Sequence, residues 1–284
     1  MPSSKELFFK GPYLRQNWSL PDSIIYSITK NPSNSKAWQK LIQSCKYFFF
    51  KNPNFVIRKL SFHCNGKWEI SLNKVKIQFS GFTNISCKFW LTYKFDICSC
   101  NSTPETVSSL ISRLYRCDVK KLILDEQNIS FNEFLFLTSN VENIKLRHVI
   151  VKNEEGSIVP LEKLVKVLPK IKEFEFYDNF NSSCISKNTV KKLLEISHFS
   201  KINEFALFNI PESIDIKEFW NYIKKNKFTK FTFYFQETIS EGYKNRVDEI
   251  IEAESHDYKI PKINFKTISG EKWEKMVSLL DKHK

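Results

Sequence analysis

The sequence predicts an α/β protein: a small helical segment followed by an irregular solenoid of alternating strands and helices. Three observations predict it. An apolar-x-x-apolar-x-apolar template recurs along most of the chain, helix-forming segments fill nearly every interval between its occurrences, and the composition shifts after Pro53. With 284 residues, 42% of them apolar and 15% aromatic, the chain can bury a substantial core. The expected division is 1–53 for the helical segment and 54–284 for the repeating domain, whose start at 55–98 is irregular and β-rich.

In the first segment, Ser19-Leu20-Pro21-Asp22 reads as a helix start, because Pro is tolerated in a first turn. Ile24, Ile25 and Ile28 then share one helical face. Asn31-Pro32-Ser33-Asn34-Ser35 breaks the pattern. A second helix is expected to carry Trp38, Leu41, Ile42, Cys45, Phe48 and Phe49 at spacings of three and four, and Asn52-Pro53 ends it. Two such helices cannot bury their apolar faces alone. They either cap the following domain or lean on a partner.

Leu20-Pro21-x-x-Ile24-Ile25-x-x-Ile28, a proline-bearing break, and Leu41-Ile42-x-x-Cys45-Lys46-x-Phe48 together resemble the F-box, in the divergent form expanded in nematodes. The resemblance implies docking on the Skp adaptor of a Skp–cullin–F-box ubiquitin ligase, through Leu20, Pro21, Ile24, Ile25, Ile28, Leu41, Ile42, Cys45 and Phe48. The link from Lys30 to Lys36 departs from the family pattern, since it lacks the usual Leu-rich turn. Some of the families resembled include antidotes that neutralise a partner toxin.

Beyond residue 53, Lys67 to Phe79 alternates apolar and polar residues and predicts a β-hairpin. The template falls at Ile57/Leu60/Phe62, Trp90/Tyr93/Phe95, Val119/Leu122/Leu124, Val141/Ile144/Leu146, Ile171/Phe174/Phe176, Ile202/Phe205/Leu207, Phe228/Phe231/Phe233 and Ile260/Ile263/Phe265. Its starts lie 22–33 residues apart. So apolar a chain matches such a template often by accident; the intervening helices give it weight. Thr103-Pro104-Glu105 opens one carrying Val107, Leu110, Ile111 and Leu114. Ser130-x-x-Glu133 is a capping-box signature ahead of Phe134 and Leu137. Pro160 precedes Leu161, Leu164, Val165 and Leu168, and Ser186 precedes Val190, Leu193, Leu194 and Ile196. Asp215-x-x-Glu218 leads into Phe219, Trp220 and Ile223, and Ser240 into Val247, Ile250 and Ile251. A last helix is expected around Trp273, Val277 and Leu280. Strand, loop and helix repeated in this way is the leucine-rich-repeat architecture, in which only stacked neighbours bury each unit's apolar faces. An ordinary α/β sandwich with a mixed sheet is the alternative fold.

The net charge of +13 comes from 44 basic against 31 acidic residues, but only six of the basic ones are Arg. Arg grips phosphates and guanines bidentately, so this Lys-dominated, dispersed charge points away from nucleic acid. Seven cysteines (45, 64, 87, 98, 100, 117 and 184) show no C-x-x-C pair and no disulfide framework. His63-Cys64 and Cys98-x-Cys100 lack zinc-finger spacing, so buried thiols without a metal or other cofactor are expected. There is no G-x-S-x-G, H-E-x-x-H or phosphate-binding glycine loop. Met1–Lys10 is too short and too charged for a signal segment, and no apolar run has membrane-spanning length. The expected address is cytoplasmic or nuclear.

Residues between the buried template positions should face outward along the open side of the sheet. These include Lys121/Ile123/Asp125, Asn143/Lys145/Arg147, Glu173/Glu175/Tyr177, Glu204/Ala206/Phe208, Lys230/Thr232/Tyr234 and Lys262/Asn264/Lys266. Carboxylates Glu173, Glu175 and Glu204 then sit between basic ends, beside an aromatic column of Tyr177, Phe208 and Tyr234. Such a column is the raw material of an interface hot spot. The sequence therefore predicts a non-enzymatic adaptor, with an adaptor-docking end and an end that holds an unidentified target protein. A stoichiometric inhibitor or scaffold without ligase docking is the alternative, ahead of nucleic-acid binding.

Overall fold

The computed structural model describes residues 19–72, 75–83, 85–180, 182–252 and 261–264. The expected positions Ile260, Phe265 and Lys266 and the helix around Trp273, Val277 and Leu280 lie outside them, as does the side chain of Ile251.

Helix α1 (Asp22–Lys30) starts where the Leu-Pro pair predicts, with the Pro21 carbonyl accepting from the N–H groups of Ile24 and Ile25 at 2.9 and 3.1 Å. Asn34 caps α2 (Ser35–Ser44) by accepting from the Ala37 N–H at 2.8 Å. The single second helix expected from spacing is in fact two. Cys45 is extended (φ −148°, ψ 122°) and divides α2 from α3 (Lys46–Lys51). The Ser44 hydroxyl donates back to the Leu41 carbonyl at 2.9 Å, the local bonding with which Ser competes against helix continuation. The break sets Phe48 edge-on to Trp38, ring centroids 6.4 Å apart. Ile25, Trp38, Ile42 and Phe48 then form a small core together with Val56 and Trp90 of the following strands. Trp38 donates its indole N–H to the Asn54 carbonyl at 3.0 Å, and the Asn52 amide donates to the Thr29 carbonyl at 2.7 Å. The helices lean on the sheet, as their size requires.

The rest of the described chain is mixed α/β around one large, mostly parallel sheet. β1 (Asn54–Phe62) pairs antiparallel with β2 (Trp68–Leu72), and β2 with β3 (Val75–Phe79), which is the expected hairpin. On its other side β1 runs parallel to β4 (Lys88–Ile97). Then follow α4 (Thr106–Ile111), β5 (Leu114–Cys117), β6 (Lys121–Asp125), β7 (Asn128–Ser130), α5 (Phe131–Thr138), β8 (Asn143–Arg147), β9 (Ile150–Lys152) and α6 (Leu161–Lys166). After these come β10 (Glu173–Tyr177), α7 (Thr189–Leu194), β11 (Glu204–Ile210), α8 (Ile216–Ile223), β12 (Lys230–Phe235), α9 (Glu241–Glu252) and β13 (Lys262–Asn264). The main sheet runs β3-β2-β1-β4-β6-β8-β10-β11-β12-β13, with β5 also paired to β4, while β7 and β9 form a separate short ladder. From β4 onwards the strand order follows chain order without reversal. That separates it from doubly wound folds, whose order reverses at a switch point.

Alternate strand residues explain the layering. Leu122, Leu124, Ile144, Leu146, Phe174, Phe176, Phe205, Leu207, Phe231 and Phe233 are buried in one continuous core with Val107, Leu110, Phe134, Leu137, Leu161, Leu164, Val190, Leu193, Phe219, Ile223 and Val247 of the helices. Each such burial contributes about 1.5–3 kcal/mol. The predicted capping box is present: Ser130 Oγ accepts from the Glu133 N–H at 3.2 Å, and Glu133 accepts from the Ser130 N–H at 2.7 Å. Asp215 likewise caps α8 by accepting from the Glu218 N–H at 2.9 Å.

Leu168 and Ile196 lie just past α6 and α7 rather than on them, and three further expected positions differ. Leu114 lies in β5 rather than on the preceding helix, because α4 ends at Ile111. Tyr93 is exposed: between Ile57/Leu91 and Lys59/Lys94 the strand β4 carries an extra residue, which turns Tyr93 outward beneath the Arg58 guanidinium, 4.9 Å from the ring centroid. Phe228 is 80% exposed. Its expected place is taken by Thr229, which the buried amide of Asn226 holds by accepting from the Thr229 N–H at 3.0 Å and donating to its hydroxyl at 2.9 Å.

Candidate functional site

The outward-facing residues of β6, β8, β10, β11, β12 and β13 lie in register, so equal offsets in successive strands form rows across the sheet. Parallel strands sit about 4.8 Å apart, which fixes the spacing along each row. The first row runs Lys121, Asn143, Glu173, Glu204, Lys230. In it Asn143 donates to Glu173, and Lys230 lies 3.6 Å from Glu204. The second row runs Ile123, Lys145, Glu175, Ala206, Thr232, Lys262, with Lys145 paired to Glu175. The expected carboxylate group between basic ends is therefore real in space. Asp96, Lys121, Ile123, Lys145, Glu173, Glu175 and Ala206 are among the residues that line a groove of about 410 Å³ over these rows.

The third row runs Asp125, Arg147, Tyr177, Phe208, Tyr234, Asn264. The three rings stack face to face. Tyr177 and Phe208 are 4.0 Å apart between centroids and 5° from parallel, and Phe208 and Tyr234 are 4.8 Å and 25°. Each such pair contributes about 0.5–1.5 kcal/mol beyond its area. Positive groups continue the column: Arg147 and Lys145 lie 5.7 and 5.8 Å from the Tyr177 centroid, and Lys262 lies 5.8 Å from that of Tyr234. His148 meets Tyr177 edge-on. Partial burial, with the neighbouring Glu175 carboxylate, pushes the Tyr177 hydroxyl up to about 12, so it stays a neutral donor. All three rings remain half-buried rather than covered. This face offers flat apolar surface next to alternating charges, which is chemistry for recognising a surface.

The strand ends carry a repeated device. Glu126 and His148, one residue past β6 and β8, have φ of 52° and 51°, and Asn209, at the register shift near the end of β11, has φ of 57°. His148 donates its N–H to the Tyr177 carbonyl at 3.2 Å, and Asp178 donates to the Phe208 carbonyl at 2.9 Å. These bonds tie the rows beside the column, and nothing in residue spacing announces them.

At the N-terminal helices the predicted docking residues separate into three groups. Leu20, at 49% exposure, Ile24, at 46%, and Pro21 face solvent, while Ile28, Leu41 and Cys45 are half-buried. Ile25, Ile42 and Phe48 are buried in the segment's own core. In the chain by itself these three therefore pack inward with Trp38 and Trp90 rather than offering surface. The spacing also misses Tyr26 and Phe50, both exposed. In the run Phe48-Phe49-Phe50, Phe48 is buried, Phe49 half-buried and Phe50 exposed.

No protein-family model matches the chain, and no curated protein matches it. Among the described residues no helix is long and apolar enough to cross a membrane.

Proposed function

We propose that this chain is a non-enzymatic, two-ended binding protein. The in-register stack of Tyr177, Phe208 and Tyr234, flanked by Glu173, Glu175 and Glu204, holds a target protein; that stack is the observation that carries the reading. Strand order that follows the chain, with contacts between α6 and α7, α7 and α8, and α8 and α9, supports a leucine-rich-repeat-like solenoid. At the other end the F-box-like helices engage a Skp adaptor through Leu20, Pro21 and Ile24, in the cytoplasm or nucleus where the cullin ligase works. The target is then presented for ubiquitin transfer by other subunits.

Co-purification with a Skp adaptor tests the docking end. Leu20→Ala with Ile24→Asp should abolish it while leaving the fold intact, because both side chains are largely exposed. Adaptor retention unchanged in that variant would reject the assignment. For the other end, Tyr177→Ala with Tyr234→Ala should weaken target binding at least about 30-fold, the size of a 2 kcal/mol hot-spot loss.

A second reading is favoured by one observation, the packing of Ile25, Ile42 and Phe48 against Val56 and Trp90. In it the helices only cap the sheet and the protein is a stoichiometric inhibitor or scaffold. It predicts target binding without adaptor association, and an effect on the target that persists when the proteasome is blocked.

A further inference from the structure

Cys64 lies in the turn between β1 and β2, and Cys98 and Cys100 lie immediately after β4. β1 and β4 are parallel neighbours that end level, with Phe62 opposite Ile97, so both loops leave the same edge of the sheet. Each loop is pinned. In the first, Gly66 adopts φ 72° and donates its N–H to the His63 carbonyl at 2.9 Å, while His63 donates to the Lys67 carbonyl at 3.0 Å. A side chain at Gly66 would be strained at that φ. In the second, Cys98 donates its N–H to the Phe62 carbonyl at 3.1 Å, and the Asn101 amide donates across to the Cys64 carbonyl.

These constraints bring three thiols to one point. The Cys64 sulfur is 2.7 Å from that of Cys98 and 2.8 Å from that of Cys100, and the latter two are 3.2 Å apart. The Cys100 backbone also hydrogen-bonds the Cys98 sulfur. Cys64 and Cys100 are exposed and Cys98 half-buried, so the cluster opens to solvent. That overturns the expectation of buried thiols at these three positions. The cluster is the one grouping of candidate metal ligands among the described residues. It was hidden in the sequence because 34 residues separate Cys64 from Cys98.

We propose that Cys64, Cys98 and Cys100 bind one thiophilic d10 cation, Zn2+ or Cu+, through three thiolates, with any fourth position open to solvent. A disulfide, with its bond of about 2.05 Å, joins two sulfurs and leaves the third; a single ion satisfies all three. On a tetrahedral ion with Zn–S bonds of about 2.3 Å, two sulfurs stand about 3.8 Å apart. Loading therefore spreads the trio by about 1 Å or less, within the reach of side-chain rotation. Thiolates select soft ions over the oxygen-seeking Mg2+ and Ca2+. Each thiol passes its proton to solvent as it ligates. The ion would clamp the loops of β1 and β4 together, distant in the row order from the aromatic column, so the site stands independently of the binding function proposed above.

The test uses the full chain, expressed and purified anaerobically without chelator. Elemental analysis by plasma mass spectrometry should find one Zn or Cu per chain, and the element found distinguishes the two ions. Cys64→Ser, Cys98→Ser and Cys100→Ser should each lose it, while Cys184→Ala retains it. Should the serine variants not fold, Co2+ exchange into the wild-type protein still reports, through a thiolate-to-cobalt charge-transfer band. Wild-type protein that, once reduced, takes up none of Zn2+, Cu+ or Co2+ would overturn the proposal. So would metal retained in the Cys64→Ser/Cys98→Ser double variant, or a disulfide linking Cys64 to Cys98 or Cys100 in the anaerobic preparation.

Discussion

Phe208 is the middle ring of the stack, so its removal breaks two contacts at once. Phe208→Ala should lower stability by about 1–2 kcal/mol, the sum of two stacking pairs discounted for partial exposure. Phe208→Leu should recover less than half of that, since it restores area without a ring face. Chemical denaturation of the two variants checks the difference. Trp38 is a different kind of residue: fully buried, hydrogen-bonded to Asn54, and central to a core of only a few side chains. Trp38→Ala should cost about 3–5 kcal/mol and release the N-terminal helices before the sheet unfolds. Fluorescence of the remaining tryptophans against far-UV circular dichroism would show two transitions in place of one. The sequence places Phe208 on the outward face and Trp38 on an apolar helix face; the structure adds their partners, Tyr177 and Tyr234 for the one and the Asn54 carbonyl for the other.

At the scale of the element, the strand entrances are tied by charge as well as by backbone. Glu142, just before β8, receives hydrogen bonds from Lys120 and Lys172, each at 2.6 Å, which hold its carboxyl down to about 2. The folded value is depressed, so the stabilisation is present above the ordinary carboxylate value of 4.5 and is lost as pH falls towards about 2. Glu142→Gln should therefore flatten that acid limb and change little at neutral pH in high salt, because the group is partly exposed and screened. Urea midpoints measured across pH would show it. Elements of this kind were partly legible. Val119/Leu122/Leu124 and its successors through Ile202/Phe205/Leu207 gave the strands correctly, since period-2 burial leaves a plain mark. The break at Cys45 and the shift from Phe228 to Thr229 were not legible. Each goes with a side-chain hydrogen bond that no apolar spacing encodes: the Ser44 hydroxyl to the Leu41 carbonyl, and the Thr229 N–H to the Asn226 amide oxygen.

Over the described molecule, the apolar faces of successive strands and helices join into one core that leaves the small N-terminal core outside it. Amide hydrogen exchange should be slowest in β6, β8, β10 and β11, which have neighbours on both sides. It should be fastest at β3, an edge strand with Val75 and Lys76 exposed. Uniform protection across these strands would contradict this picture. The open face was readable as a list of outward positions, but its rows were not, because register across strands is a property of the assembled sheet.

That register has a further consequence. Because every outward side chain has a fixed address, given by strand and row, a change in one strand alters one square of the surface and leaves its neighbours in place. Ala206, the small residue between Glu175 and Thr232, is such a square, a notch among longer side chains. Enlarging it would redraw what the groove admits without moving the aromatic column one row away. A face built this way can be altered piecemeal, keeping the fold as a constant and the surface as a text that is edited letter by letter.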